Sequence, residues 1–172
     1  MKGRLRAVFA FPNPVNEVAA RVVAFGVLLM SIAVLAGQRW LLLPLFCGLL
    51  ARALTGPTLS PLGQLATRVV APRLPVAPRP VPGPPKRFAQ SVGATVSGTA
   101  LVLAFVVHAN LAAAVLAGVM VLFSGLESLA GICVGCLVFA QLMRAGLIPA
   151  SVCRECADIS RRSATPLNRA GA

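Results

Sequence analysis

Between Val18 and Met143 the chain carries four apolar runs, and their lengths constrain the fold more than any other feature. A bilayer core about 30 Å thick needs roughly 17–25 mostly apolar residues per helix. The first run covers about Val18–Gly37, the second Trp40–Leu54, the third Phe88–His108 and the fourth Leu111–Met143. Only Gln38 and Arg39 separate the first two, and only Ala109 and Asn110 the last two, so each pair reads as a tight helical hairpin. The expected fold is an all-α membrane protein of four transmembrane helices, two hairpins joined by a cytoplasmic Pro-rich loop. The second run is short and holds Pro44, whose missing donor a neighbouring helix or a local distortion must offset. A straight helix over the fourth run would stretch about 50 Å at 1.5 Å per residue, too long for one crossing. It is expected to tilt and project beyond the bilayer or to break near Ser124-Gly125.

Composition agrees with this reading. Hydrophobic residues make up 58% of the 172, more than a soluble domain of this length could cover with polar surface. The chain starts basic, then apolar, then small, as a signal peptide does. However, Pro12, Pro14 and Glu17 precede the apolar run and three more runs follow, so the run is expected to stay as a membrane helix.

Sixteen Lys and Arg against 4 Asp and Glu give a net charge of +12. The basic residues flank apolar runs, and without tyrosine there is little to stack on bases, so the anion they meet is the lipid headgroup and not nucleic acid. Their positions also orient the chain. Lys2, Arg4, Arg6 and Arg21 lie at the start; Arg52, Arg68, Arg73, Arg79, Lys86 and Arg87 surround the central loop; Arg144, Arg154, Arg161, Arg162 and Arg169 lie in the tail. Arg39 alone falls on the other side. This asymmetry places both termini in the cytoplasm, in the cytoplasmic (plasma) membrane. The expected layout is a cytoplasmic segment 1–17, a transmembrane hairpin 18–54, a cytoplasmic loop 55–87, a second hairpin 88–143 and a cytoplasmic tail 144–172.

Within the loop, Leu62, Leu65, Ala66, Val69 and Val70 have helical spacing, which fits a short helix at the headgroup boundary. From Pro72 to Pro85 half the positions are proline, which favours an extended strap. A faint repeat sets Pro14-Val-Asn-Glu against Pro85-Lys-Arg-Phe, each leading into a hairpin; such a repeat would be parallel, about an axis along the membrane normal.

Four of the five cysteines form two Cys-x-x-Cys pairs, Cys133/Cys136 and Cys153/Cys156. That spacing turns both thiols of a pair to one helical face. Three readings stay open. Cys133 and Cys136, in an apolar helix interior, could be small packing residues. The two pairs could cycle between thiol and disulfide, passing electrons or sulfur. All four could hold zinc or an iron–sulfur cluster, since the gap between pairs suits a four-cysteine site once the chain folds back at Gly146–Pro149. The tail pair sits in polar Cys-Arg-Glu-Cys-Ala-Asp, where no apolar core needs filling, and a cytoplasmic position argues against a permanent disulfide. Cys47 is expected to be a packing residue.

Glu127 is a carboxylate within an apolar run, where it must be paired, protonated or wet, and is therefore a functional candidate. On a continuous helix it shares a face with Gly131 and Gly135, while Cys133 and Cys136 point away and Arg144 lies near the Cys133 direction. Glu127 is thus expected to meet a neighbouring helix, as a bundle-holding contact or in a proton or quinone role. His108, at the outer end of the third run, has no second ligand at metal-binding spacing. Nucleotide loops, nucleophile–base arrangements and metalloprotease signatures are absent from the sequence.

The order of a proline-containing lead-in, a hairpin, Ser60-Pro-Leu-Gly, Pro85-Lys-Arg-Phe-Ala-Gln, Cys133-Val-Gly-Cys and Ile148-Pro-Ala-Ser-Val-Cys-Arg-Glu-Cys resembles the actinobacterial membrane family of domain of unknown function 4395. The resemblance spans nearly the whole chain and is sharpest from Cys133 to Ser160. The lead-in Phe11-Pro-Asn-Pro-Val-Asn departs from it in lacking an acidic residue. The resemblance implies no established activity, but it does imply a sulfur or thiol-redox setting, with thioredoxin-like or rhodanese-like cytoplasmic proteins as partners. The expected function is a cytoplasm-facing dithiol system that exchanges electrons or sulfur with a soluble partner through Cys133, Cys136, Cys153 and Cys156. The alternatives are a metal-binding or structural subunit of a larger membrane complex, and a small transporter of a sulfur species with Glu127 in its path.

Overall fold

The computed structural model describes residue 11, residues 13–153 and residue 156. The basic cluster Lys2, Arg4 and Arg6, together with Arg154, Glu155 and the tail beyond Cys156, lies outside these residues.

A two-residue strand, β1 (Val15–Asn16), leads directly into α1 (Glu17–Leu35). The Asn16 side chain caps α1 by accepting from the Val18 amide at 3.0 Å. A 3-10 turn (Arg39–Leu41) opens α2 (Leu42–Thr55). Pro44 falls in the first turn of α2, where amides lack intrahelical acceptors anyway, so its missing donor needs no distortion further along. After α2 the chain forms the short helix α3 (Pro61–Gln64), which continues as a π-helical turn, Leu65–Val70. The proline strap is not extended throughout: it begins in a 3-10 turn, Ala71–Arg73, bends over residues 74–76 and reaches β2 (Pro80–Val81) without further regular structure.

Helix α4 spans Gly83–Phe105, starting well before Phe88 because Pro84 and Pro85 stand in its first turn, which tolerates them. Lys86 and Arg87 therefore belong to a helix and not to the loop. Helix α5 (Asn110–Gly125) continues as a π-helical turn, Leu126–Ala130, and α6 covers Val134–Arg144.

Three of these helices are long and apolar enough to cross a membrane: α1 with 19 residues, α4 with 23, and α5 with its π turn, 21 in all. Their outward faces are apolar, with Leu29, Ile32, Val102, Leu111 and Leu122 exposed, as suits contact with lipid. The interior is built from Val27 and Val34 of α1, Leu42, Leu45 and Leu49 of α2, Ala94, Ala100 and Ala104 of α4, and Ala113, Ala117 and Met120 of α5. Small residues let the backbones close in, as membrane packing requires. A Cβ on Gly98 would come within 2.9 Å of the Phe46 ring, and one on Gly93 within 3.2 Å of Leu49.

The two hairpin turns meet at one end of the bundle, where the Arg39 guanidinium donates to Asn110 Oδ1 at 2.7 Å. At the opposite end Arg87 Nε donates to the Ala53 carbonyl at 2.9 Å, while Arg21 donates to Leu129 at 2.9 Å and to Ser128 at 3.3 Å. Helix α2 thus runs the height of the bundle, from the Arg39 end to the Arg87 end.

These contacts also reveal the repeat, in a register other than the expected one. Strands β1 and β2 pair antiparallel, Val15 opposite Val81, so Pro14-Val15 corresponds to Pro80-Val81 and not to Pro85-Lys86. The same interval that separates Val15 from Val81 separates Arg21 from Arg87. Each of these arginines lies just inside the first helix of its hairpin and caps the last carbonyls of the other hairpin's second helix. Helix α1 packs on α5 as α4 packs on α2, and the short helices α3 and α6 each pack on the first helix of their own half. All these relations interchange the two halves, as an axis along the bundle would.

The segment from Pro61 to Val70 is helical, as its spacing predicts, and packs along α1. A Cβ on Gly26, in mid-α1, would come within 2.8 Å of the Leu62 side chain. The bare backbone of Gly26 makes the groove that Leu62 fills.

A cysteine-lined pocket at the basic end of the bundle

The long fourth run breaks, but at Gly131 and not near Ser124-Gly125. Gly131 adopts a left-handed conformation (φ +71°), which residues with a Cβ rarely take, and its amide and that of Ile132 return to the Leu126 carbonyl. Arg21 completes this cap, placing its cation where the helix dipole is negative. A side chain at Gly131 would also meet the Arg21 guanidinium at 3.4 Å and Glu17 Oε1 at 3.7 Å.

The break changes the setting of the first cysteine pair. Cys133 is not in a helix interior: it is the N-cap of α6, its Sγ accepting from the Cys136 amide at 3.3 Å. Helix α6 is held against α4 by the absence of a side chain at Gly135, where a Cβ would lie 2.6 Å from Ala89 Cβ, and by Phe139 against Phe88, ring centroids 5.7 Å apart. Gly131 and Gly135 therefore do not form one small-residue face; one ends a helix and the other docks the next.

Cys133 and Cys136 are joined as a disulfide, Cα atoms 5.2 Å apart, and so are Cys153 and Cys156, at 5.3 Å. The chain folds back after α6 through Gly146 (φ +74°) and the 3-10 turn Ala150–Val152. Cys133, Cys136 and Cys156 then line one open pocket of about 620 Å³, together with Glu17, Lys86 and Arg144. Cys153 is buried, at 6% exposure, while Cys156 is only partly covered. Among the described residues no three His, Cys, Asp or Glu side chains are grouped to hold a metal, so a four-thiolate site would first require both disulfides to open. Cys47 is a free thiol on the exposed face of α2, not a packing residue inside the bundle.

Glu127 does meet a neighbouring helix. Its Oε1 lies 2.6 Å from Lys86 Nζ, with both side chains largely buried. It also shares surroundings with Cys133, contrary to the projection on a continuous helix, because Gly131 resets the helical phase between them. Glu127 and Cys133 line a second, inner cavity of about 180 Å³ with Arg52, Gln90 and Ser124, walled otherwise by aliphatic and aromatic side chains. Arg52 Nε donates to Gln90 Oε1 at 3.0 Å, whereas its Nη1 is buried with no hydrogen-bond partner among the described residues. Cys133 thus stands between the inner cavity and the outer pocket.

From the sequence, Arg52 and Lys86 count as orientation charges only. The rule that singled out Glu127, an ionisable group within an apolar run, applies equally to Arg52 and would have found it. Gln90 and Arg21 carried no comparable signal.

Three helices of membrane-spanning length, apolar outward faces and a polar cluster at one end define a helical membrane protein. Over residues 15–144 the chain matches the family described as domain of unknown function (DUF4395), and it belongs to that family. The match includes Cys133 and Cys136 and ends before Cys153 and Cys156. No curated protein and no solved structure matches the chain.

Proposed function

We propose that this protein is a four-span thiol–disulfide relay of the cytoplasmic membrane, with both termini and its cysteines on the cytoplasmic side. The observation that carries the reading is the convergence of Cys133, Cys136 and Cys156 on one open pocket. Packing alone does not call for two adjacent cysteine pairs facing a shared opening.

The chemistry follows from the positions. In reduced α6, a Cys133 thiolate is favoured by the helix N-terminus and the Cys136 amide. It attacks Cys156, the more accessible sulfur of the tail disulfide, forming a Cys133–Cys156 bond and releasing Cys153 as thiolate. Cys136 then attacks Cys133, closing the Cys133–Cys136 disulfide and freeing Cys156. Each exchange is reversible, so two electrons cross between the pairs in either direction, and the tail pair exchanges them with a soluble thioredoxin-like or rhodanese-like partner.

Four crossings are supported by α2, which runs between the two ends of the bundle despite its 14 residues, helped by the preceding 3-10 turn. The orientation is supported by charge: Arg21, Arg52, Lys86, Arg87 and Arg144 cluster at the cysteine end, against Arg39 at the other.

Thiol trapping in native membranes tests the relay. Cys153→Ser should accumulate a mixed disulfide between Cys156 and a cytoplasmic protein. Unreactive thiols in every variant, with no trapped species, would refute it. Metal analysis with thiol counting on the purified protein separates disulfide, free thiol and bound zinc in one measurement; stoichiometric metal would favour the four-cysteine metal site instead.

A further inference from the structure

We infer that the inner cavity is a binding site for the head of a membrane quinone, which takes the electrons of the Cys133–Cys136 dithiol. This deepens the relay reading and rests on it. Four properties of the cavity select the ligand. Its size, about 180 Å³, suits one or two fused rings, since a cavity of about 150 Å³ already accepts benzene. Its walls are chiefly Val23, Val27, Leu49, Val96, Met120 and Phe123, so the ligand is apolar. Arg52 lines it as well as the neighbouring pocket beside Gly56 and Thr67, and its Nη1, buried and without a hydrogen-bond partner among the described residues, is a donor that a small side-chain shift would offer to an acceptor such as a ring carbonyl. Cys133 also lines it, so the ligand lies beside a thiol that must lose electrons. Fatty chains meet the second property and small anions the third; a quinone meets all four.

The way in is also apolar. Phe123 of α5 and Val138 of α6 belong to the cavity wall yet are 37% and 45% exposed on the outer face. In the proposed membrane setting these side chains face lipid, so a hydrophobic tail can leave beside them while the ring stays inside.

The reaction balances. The two S–H bonds of Cys133 and Cys136 break and one S–S bond forms. Two electrons pass to the quinone, and two protons end on its oxygens as the quinol. Arg52 holds one carbonyl and stabilises negative charge as it develops there. Glu127, on the same cavity and tied to Lys86 at 2.6 Å, is placed to pass a proton from the cysteine side.

The probe is 2,3-dimethyl-1,4-naphthoquinone, whose fully substituted ring does not add thiols. The full-length protein, reduced and freed of reductant in lipid nanodiscs, should form one quinol per two thiols lost. Cys133→Ser should form none. Arg52→Gln should raise the half-saturating quinone concentration at least tenfold, in turnover and in equilibrium binding. Val138→Trp, a change at the exposed rim with little risk to folding, should do the same by closing the opening, with thiol counting to check that the Cys133–Cys136 pair stays intact. A wild-type protein that exchanges disulfides with a soluble dithiol protein but forms no quinol overturns the quinone site and leaves the relay standing. One that does neither overturns both. Quinol formation with unchanged half-saturation in both variants shows that the quinone reacts elsewhere and overturns this site.

Discussion

The two halves of the molecule share a plan and differ in what they carry at one place. Each half has a short strand, a hairpin, an arginine that caps the opposite hairpin, a glycine of positive φ and a short N-capped helix laid back against its own first helix. In the first half the glycine is Gly56 and the cap is Ser60, whose Oγ accepts from the Gly63 amide at 3.3 Å. In the second half the glycine is Gly131 and the cap is Cys133, whose Sγ accepts from the Cys136 amide at the same distance. Arg52 and Glu127 each stand one turn before these glycines, and they line one cavity from opposite halves with opposite charge. One frame therefore carries Ser60 and Gly63 in the first half and the Cys133–Cys136 disulfide, our proposed redox centre, in the second. The proposed reactivity sits at a position the architecture provides in both halves: the start of a short helix beside the bundle's polar end.

The sharpest way to break the comparison is to make the second half resemble the first. Cys133→Ser keeps a capping oxygen, so folding should persist while disulfide exchange falls to background, measured by thiol trapping and thermal unfolding together. If Cys133→Ser unfolds, the sulfur is structural and the contrast fails. Next comes the buried ion pair, which has no counterpart in the first half because Ala20 corresponds to Lys86. Glu127→Gln leaves Lys86 unpaired and should cost about 3 kcal/mol in denaturant unfolding, with much of the loss recovered in Lys86→Met/Glu127→Gln. The docking glycines give a smaller effect. Gly135→Ala drives a Cβ into Ala89 of α4, where backbone must move, and should cost about 1–3 kcal/mol. Gly26→Ala meets only the flexible end of Leu62 and should cost less than Gly135→Ala in the same assay. The smallest effect is at the serine cap: Ser60→Ala should cost about 1 kcal/mol and leave disulfide exchange unchanged.

Several of these relations were legible in the chain itself. The apolar runs located the first hairpin to within a few residues, whereas the fourth run overshot the second hairpin and took in α6. The cysteine spacing identified the candidate site, and Gly146 marked the fold-back that returns the tail pair to it. Two features went astray for a common reason. Projecting Glu127, Cys133 and Gly135 onto one helix assumed continuity, and Gly131 breaks it, so Glu127 and Cys133 come to one cavity while the glycines separate. The repeat was sensed but set in the wrong register, because Pro84 and Pro85 open α4 instead of preceding it. Their fit in a first helical turn is local, but the strand pairing of Val15 with Val81 that sets the register is not.

What the sequence determined by itself is the membrane-helical class, since backbone in lipid must satisfy its own hydrogen bonds and long apolar runs leave it only the helix. Charge and spacing carried that as far as an expected orientation and a cysteine site. Only the tertiary structure decided which charges meet. Lys86 with Glu127, Arg52 with Gln90 and Arg21 with the end of the second hairpin all join residues far apart in the chain. Such pairings depend on which helix faces which, and that follows from where small residues allow backbones to approach, a property of the packed bundle and not of any one segment.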